Sequence, residues 1–110
     1  MMARKHKYNA QPTTVDGIRF HSKGEANRYS QLKLLERLGD ISDLSLQPSF
    51  PLVVNDHKIC TYKADFKYIE DGQEIIEDFK GYDTRDSKMK RYLLKALHGI
   101  DVRITGKGKS

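Results

Sequence analysis

The chain has no tryptophan and one cysteine, and hydrophobic residues make up only 37% of its 110 positions. So little apolar material builds a modest core, which predicts a single small domain over residues 1–110. Cys60 has no second cysteine for an internal disulfide, so a cytoplasmic setting is expected. The sequence contains no apolar run near the ~18 residues of a membrane helix, and we expect neither a signal peptide nor a membrane partner.

Charge is abundant instead, and it is unevenly placed. Residues 1–24 carry net charge +4, residues 65–83 carry −5 and residues 84–110 carry +6, whereas residues 25–64 are balanced. An acidic middle between two basic ends favours a polyanionic partner around a cation-binding centre. A generally basic protein without such a partner is the alternative. We expect residues 1–11 to form a flexible basic arm and residues 106–110 a frayed tail.

The local patterns predict a mixed α/β fold, in which a small mixed β-sheet is flanked by helices. Asp16-Gly17 and Asp71-Gly72 are hairpin turn signals. Capping and apolar spacing predict one helix from a cap at Ser22 to about Leu38, and a second from a cap at Asp86 or Ser87 to about His98. Extended segments are expected at 13–20 (a hairpin), 41–46, 50–54, 59–70, 73–80 and 102–105.

The second hairpin has an unfavourable arrangement of charge. If its turn has two residues, Asp65 lies opposite Asp78 and Lys63 lies opposite Lys80. Like charges placed so are destabilising, and a divalent cation such as Mg²⁺ or Mn²⁺ would neutralise the two aspartates. Strand alternation puts Asp78 and Lys80 on the face of Asp65 and turns Glu77 away, so Asp78 is the better ligand. An exposed, solvated hairpin face is the alternative.

Glu25 supplies a third carboxylate. It lies in the helical stripe that contains Tyr29 and Leu32, which should face the sheet. A glutamate in an apolar stripe is costly unless it is paired or binds metal. A capping-box role with Ser22 explains the same residue without any metal.

Together these residues resemble the PD-(D/E)XK nuclease superfamily. Its signature is an aspartate, a gap and an acidic-x-Lys triplet on the next strand, often preceded by a helical glutamate. Here the matching pieces are Glu25, Ala64-Asp65-Phe66 and Glu77-Asp78-Phe79-Lys80-Gly81. The chain is similar to small phage-encoded nucleases, to phage endonuclease I, to archaeal Holliday-junction resolvases and to the nuclease subunit of some transposases. The likeness covers about residues 15–104, and Ala64 departs from the proline of the signature.

The resemblance implies a restriction-endonuclease-like core and a metal-dependent DNA endonuclease, phage-encoded and acting inside a bacterial host. Asp65 and Asp78 would ligate Mg²⁺ or Mn²⁺ together with the backbone carbonyl of Phe79. Glu25 would bind directly, through water or at a second metal, and Lys80 would hold or help deprotonate the attacking water. A metal in this position neutralises charge on the phosphate and lowers the pKa of water. The products would carry 5′-phosphate and 3′-hydroxyl ends.

Candidate DNA contacts lie on both sides of these residues. Lys88, Arg91 and Lys95 recur at i, i+3 and i+7 of the second helix, a stripe suited to a phosphate backbone, although an ordinary solvated face has the same pattern. Gln47 recurs in the resembling family and could position the scissile phosphate, and Lys23 begins the first helix.

Three functions follow from these residues. The first is a structure-selective nuclease for Holliday junctions or other branched DNA, which predicts a homodimer because junction resolution needs two cuts. The second is a non-catalytic nucleic-acid-binding module with a degenerate nuclease fold. The third is a nuclease subunit of a larger complex. Likeness of fold alone does not separate them.

Overall fold

A computed structural model describes residues 11–106. Residues 1–10 of the predicted basic arm and residues 107–110 of the predicted tail lie outside this range. The helices are α1 (Lys23–Leu38) and α2 (Arg85–His98). The strands are β1 (Thr13–Val15), β2 (Ile18–Phe20), β3 (Ser42–Leu46), β4 (Ser49–Val54), β5 (His57–Lys63), β6 (Phe66–Glu70), β7 (Gln73–Phe79) and β8 (Val102–Thr105).

Capping residues set the helix boundaries. The Ser22 side chain accepts a hydrogen bond in the first turn of α1, and Gly39 ends that helix with φ 87°, which favours glycine. Both predicted ends of α1 are confirmed. The predicted cap of α2 at Asp86 or Ser87 is wrong, because Thr84 caps the helix and its side chain accepts from the Ser87 N–H. A threonine hydroxyl is itself a good N-cap, so the helix begins earlier than expected.

The main sheet has four strands in the order β3-β6-β7-β8. The pairs β3–β6 and β6–β7 are antiparallel, whereas β7 and β8 are parallel and are connected through α2. β1–β2 and β4–β5 form separate two-stranded ribbons. This architecture confirms the predicted mixed α/β class with a sheet flanked by helices. Neither helix in residues 11–106 has the length and apolar character to cross a membrane.

Two hydrophobic clusters lie on the two sides of the main sheet. One joins α1 to β6 through Leu32, Phe66 and Tyr68. The other joins α2 and the β4–β5 ribbon to β7 through residues that include Leu94 and Ile76. Alternate residues of β7 therefore belong to different layers, which is the expected behaviour of a strand buried on both faces.

The predicted strand over residues 59–70 is two strands in different sheets. β5 pairs with β4 up to Lys63, the chain bends at Ala64-Asp65, and β6 then pairs with β7 from Phe66 onward. Lys63 lies opposite Ser49, so the predicted pairing of Lys63 with Lys80 is wrong. Apolar periodicity continues through the bend, and for that reason the sequence pattern does not reveal it.

The apolar spacing of α2 predicts a core face made of Met89, Leu93, Ala96 and Leu97, and only Leu93 of these packs against the core. Met89, Ala96 and Leu97 are exposed, and the residue that is fully buried is Leu94. The helix packs against the β4–β5 ribbon, which covers only a narrow line of its surface. The apolar stripe with the clearest spacing is therefore not the one that faces the core.

Candidate functional site

The predicted site residues come together where several elements end. Asp78 lies near the end of β7, and Lys80 directly follows this strand. Asp65 occupies the bend between β5 and β6, and Glu25 lies in the first turn of α1. All four line one cavity of about 680 Å³, which we call the acidic cleft. Gln47, which follows β3, lines it as well.

Asp65 is held at the bend by the backbone. Its carbonyl accepts from the Gln47 N–H at 2.9 Å and its own N–H donates to the Glu77 carbonyl at 3.1 Å. Its Oδ2 accepts from the Phe79 N–H at 2.8 Å. The β6–β7 register follows the prediction as far as Phe66 opposite Glu77 and ends there, so the predicted ladder pair of Asp65 and Asp78 is wrong. Asp65 therefore reaches Asp78 from a bend and not from a paired position on the ladder.

The carboxyls of the acidic cleft repel one another. Burial and the charges of Asp78 and Glu25 together raise the pKa of Asp65 to about 8, although the Phe79 N–H opposes the shift. Proximity of like charges is the condition that a bound cation relieves. The predicted juxtaposition of Asp65 and Asp78 is therefore present.

Asp78 is almost fully buried, and its surroundings hold one of its oxygens. The Tyr62 hydroxyl donates to Oδ2 of Asp78, and Lys80 Nζ lies 3.3 Å from the same oxygen. Both contacts are made to the same carboxylate oxygen. The ion pair with Lys80 agrees with the prediction that both side chains share a face of β7.

Glu25 takes part in the cap of α1 through its backbone and also lines the acidic cleft. Its backbone N–H donates to the Ser22 side chain at 3.1 Å, so the capping interaction is real. The residue is 8% exposed and lines the acidic cleft, and its carboxylate lies 4.0 Å from His21 Nδ1. Capping uses the backbone of Glu25 and leaves its carboxylate for the cleft.

Glu77 belongs to the opposite face of β7. It is 0% exposed and accepts two hydrogen bonds from Arg28 at 2.6 and 2.9 Å, one from Tyr68 at 2.5 Å and one from Thr105 at 2.9 Å. Burial alone would raise the pKa of Glu77, but the bonds from Arg28 and Tyr68 outweigh it and the net shift is downward. The preference for Asp78 over Glu77 as the cleft residue is thus supported by where each side chain lies.

The Phe79 ring fits between two glycines. A Cβ on Gly24 would lie 2.5 Å from Cζ of Phe79, and a Cβ on Gly106 would lie 2.3 Å from its Cε1. Real Cβ atoms do not approach so closely, so both positions need glycine for space. The ring fixes the end of β7. It thereby fixes the backbone N–H of Phe79, which donates to Asp65, and the Phe79 carbonyl, which is the predicted metal ligand.

The predicted DNA contacts separate into two groups. Lys23 and Gln47 line the acidic cleft, whereas Lys88, Arg91 and Lys95 lie on α2. Arg91 turns inward, so the predicted exposed stripe is wrong at this position, and the other two remain exposed. Lys95 Nζ also contacts Asp101 at 2.8 Å.

The donor set of the acidic cleft suits a hard cation. Glu25, Asp65 and Asp78 offer oxygen ligands, the type that Mg²⁺ and Mn²⁺ prefer. Among residues 11–106, however, the side chains form no preassembled group of three or more His, Cys, Asp or Glu ligands. Mg²⁺ is usually held by one or two carboxylates together with waters and substrate phosphates. Asp65 and Asp78 with the Phe79 carbonyl fit that mode, and a closed all-protein cage is not required.

Comparison with known families decides where the chain belongs. Residues 5–109 match the model of a family described as "Protein of unknown function (DUF1064)". The chain is a member of this family. A search of curated proteins gives no match.

In this DUF1064 member, sequence reasoning missed the residues that hold the site residues in place. The partner of each lies far away in the chain or outside any recognised motif. Tyr62 binds Asp78, Arg28 binds Glu77, and Asp83 binds Arg91. Lys63, which also lines the acidic cleft, was predicted on a ladder with Lys80. The sequence offers no local signal for the bend at Ala64-Asp65, because apolar alternation continues through it.

Proposed function

We propose that this protein is a metal-dependent DNA endonuclease that hydrolyses phosphodiester bonds. The observation that carries the proposal is the convergence of Glu25, Asp65 and Asp78 on one cleft, with Lys80 paired to Asp78. A protein that only bound DNA would gain nothing from three carboxylates facing phosphates. The likeness to PD-(D/E)XK nucleases supports the same conclusion.

Each residue then has a chemical task. Asp65 and Asp78 hold a divalent cation with the Phe79 carbonyl, and Glu25 completes the acidic side of the cleft. The cation supplies charge neutralisation at the scissile phosphate and a lowered pKa for water. Lys80, close to Asp78 and half-buried, donates hydrogen bonds to the attacking water or to a phosphate oxygen, and it orients the reacting groups.

Basic side chains surround the acidic cleft and suit a nucleic-acid backbone. Lys23 and Lys63 are exposed and line the cavity with His21. Contacts of this kind bind phosphates without reading sequence. We therefore propose branched DNA, such as a four-way junction, as the substrate, since so small a chain has little surface for reading a long base sequence.

Cutting both strands of a branched substrate needs two sites, and we propose a homodimer. The exposed apolar side chains of α2 are the candidate contact: Met89 is 62% exposed, Tyr92 79% and Leu97 40%. These positions follow helical spacing, so one helix can present them to the same helix of a second copy. Tyr92→Lys should give a monomer by light scattering if this contact forms the dimer.

The decisive experiment compares cleavage of four-way junction, flap, single-stranded and linear duplex DNA with Mg²⁺, with Mn²⁺ and with EDTA. Asp78→Asn and Lys80→Ala should each reduce the rate by at least about 100-fold. Asp71→Asn, an exposed carboxylate in the β6–β7 turn, is the matched control and should cut at the wild-type rate. EDTA should abolish cleavage.

The results also separate the rival functions. Tight DNA binding with no cutting of any substrate would support a non-catalytic binding module. Cleavage that begins only when host-cell extract is added would support a subunit of a larger complex. Equal rates on linear duplex and junctions would remove the branched substrate and leave the nuclease.

A further inference from the structure

Asp78 also takes part in a chain of polar contacts that the proposed chemistry does not use, and its other members (Tyr62, Asp83 and Arg91) are not among the residues that line the acidic cleft. Tyr62 is 4% exposed, and its hydroxyl donates to Asp78 Oδ2. The Arg91 guanidinium lies near the Tyr62 hydroxyl, close enough for the two groups to interact through charge. Arg91 in turn binds Asp83 with two nitrogens, at 2.9 and 2.6 Å. The order of contacts is therefore Asp83, Arg91, Tyr62, Asp78.

Every member of this chain of contacts is held in place. The side chains of Arg91 and Asp83 are 16% and 6% exposed, and Arg91 also contacts the Ser87 hydroxyl at 2.9 Å. The bond from Arg91 lowers the pKa of Asp83, so Asp83 stays ionised and the pair persists near neutral pH. Paired Arg–carboxylate forks have a defined geometry, and Tyr62 therefore has little freedom to rotate away from Asp78.

The arrangement also restricts the orientation of the Asp78 carboxylate. Tyr62 and Lys80 both contact its Oδ2, so the carboxylate is held by one oxygen from two directions. Partners that orient a metal-binding side chain typically change metal affinity 10- to 100-fold when they are removed. A tyrosine is well suited to this task in a buried position, because its ring packs in the core while its hydroxyl donates.

We infer that Tyr62, backed by Arg91 and Asp83, is a positioning residue that orients Asp78 for divalent-cation binding. The inference rests on the proposed function. It assigns α2 a role in the site although the helix lines no part of the cleft within the described residues: α2 supplies the arginine that steadies the tyrosine. Arg91, predicted as a DNA contact, acts here from inside the protein.

The same sheet provides a matched control. Tyr68 is also buried and also donates to a buried carboxylate, Glu77, at 2.5 Å, but Glu77 lies on the opposite face of β7. Tyr68→Phe and Tyr62→Phe therefore remove the same hydroxyl from similar surroundings. Only the second removes it from a residue of the acidic cleft.

The test is a Mn²⁺ titration of the full chain, followed by electron paramagnetic resonance, with urea unfolding measured on the same samples. We expect Tyr62→Phe to raise the Mn²⁺ concentration at half-saturation about 10- to 100-fold, with Tyr68→Phe within about threefold of the wild type. If Tyr62→Phe does not fold, Arg91→Gln replaces it and should weaken Mn²⁺ binding at least about threefold.

The outcomes separate this inference from the proposed function. Half-saturation of Tyr62→Phe within threefold of the wild type would overturn the inference and leave the nuclease intact. Equal weakening in Tyr62→Phe and Tyr68→Phe would also overturn it, since the effect would then be a general loss of stability. A wild-type protein that binds no Mn²⁺ and cuts no DNA would overturn both.

Discussion

The crowding of carboxyls at Asp65 predicts that the metal-free protein loses stability as the pH rises. In the folded chain Asp65 keeps its proton until about pH 8, whereas in the unfolded chain it releases the proton near 3.8. Between these values the unfolded state binds fewer protons, so the free energy of unfolding falls with increasing pH. The contribution of Asp65 to the free energy of unfolding is fully present below the pKa of the unfolded chain. It is lost once the pH has risen through the pKa of the folded chain.

The size of the effect follows from the width of the window. The pKa rises from 3.8 to about 8, and each unit is equivalent to ~1.4 kcal/mol, which gives roughly 6 kcal/mol as the upper limit. We therefore expect a measured loss of about 2–5 kcal/mol, a large part of the stability of so small a domain.

Urea unfolding in EDTA at several pH values measures this loss. Asp65→Asn keeps an oxygen acceptor for the Phe79 N–H but has no charge, so its stability should vary much less over the same range. Asp71→Asn, exposed in its turn, should retain the wild-type slope. Adding Mg²⁺ at the upper end of the range should restore the wild type by ~3 kcal/mol when the ion is at 100 times its Kd. Parallel pH profiles for the wild type and Asp65→Asn would refute the reasoning.

Two further predictions concern the other face of β7 and its end. Arg28→Met leaves the buried Glu77 carboxylate without its cation and should lower the free energy of unfolding in urea by about 3–5 kcal/mol. The double variant with Glu77→Gln should recover part of that loss. Additive losses in the double variant would contradict this account. Gly24→Ala places a methyl group against the Phe79 ring and should cost about 1–3 kcal/mol. Gly81→Ala has open space at Cβ and should cost much less, so equal losses would count against the packing argument.

Local signals determined much of the fold in advance. The turn at Asp71-Gly72 set the β6–β7 register, and Ser22 with Gly39 set both ends of α1, because these motifs depend on neighbouring residues alone. The end of β5 could not be predicted from the sequence. The chain passes there from the β4–β5 ribbon to the main sheet, which depends on tertiary packing, and no local sequence signal at Ala64 indicates it. The exposed side of α2 could not be predicted for a similar reason. Its apolar stripe has helical spacing, but the β4–β5 ribbon packs against a different side of the helix.

The acidic cleft divides in the same way. Asp65, Asp78 and Lys80 were accessible through register and alternation, which are properties of a single hairpin. Tyr62 and Arg91 were not, because their partners are chosen by how the β4–β5 ribbon and α2 pack together. The side chains proposed to carry the chemistry follow sequence patterns, whereas those proposed to orient them are defined by the packing of distant elements.

The bend between β5 and β6 makes the length of this segment critical. Tyr62 contacts Asp78, Asp65 accepts from the Phe79 N–H, and Phe66 lies opposite Glu77. Five consecutive residues thus carry three separate attachments to β7, and inserting or deleting one residue here would break at least one of them. The turn at the other end of β5 lies six residues from Lys63, about 20 Å along an extended strand, and can change in length without disturbing the cleft. Members of this family should therefore vary in the β4–β5 turn while the spacing from Tyr62 to Phe66 stays constant.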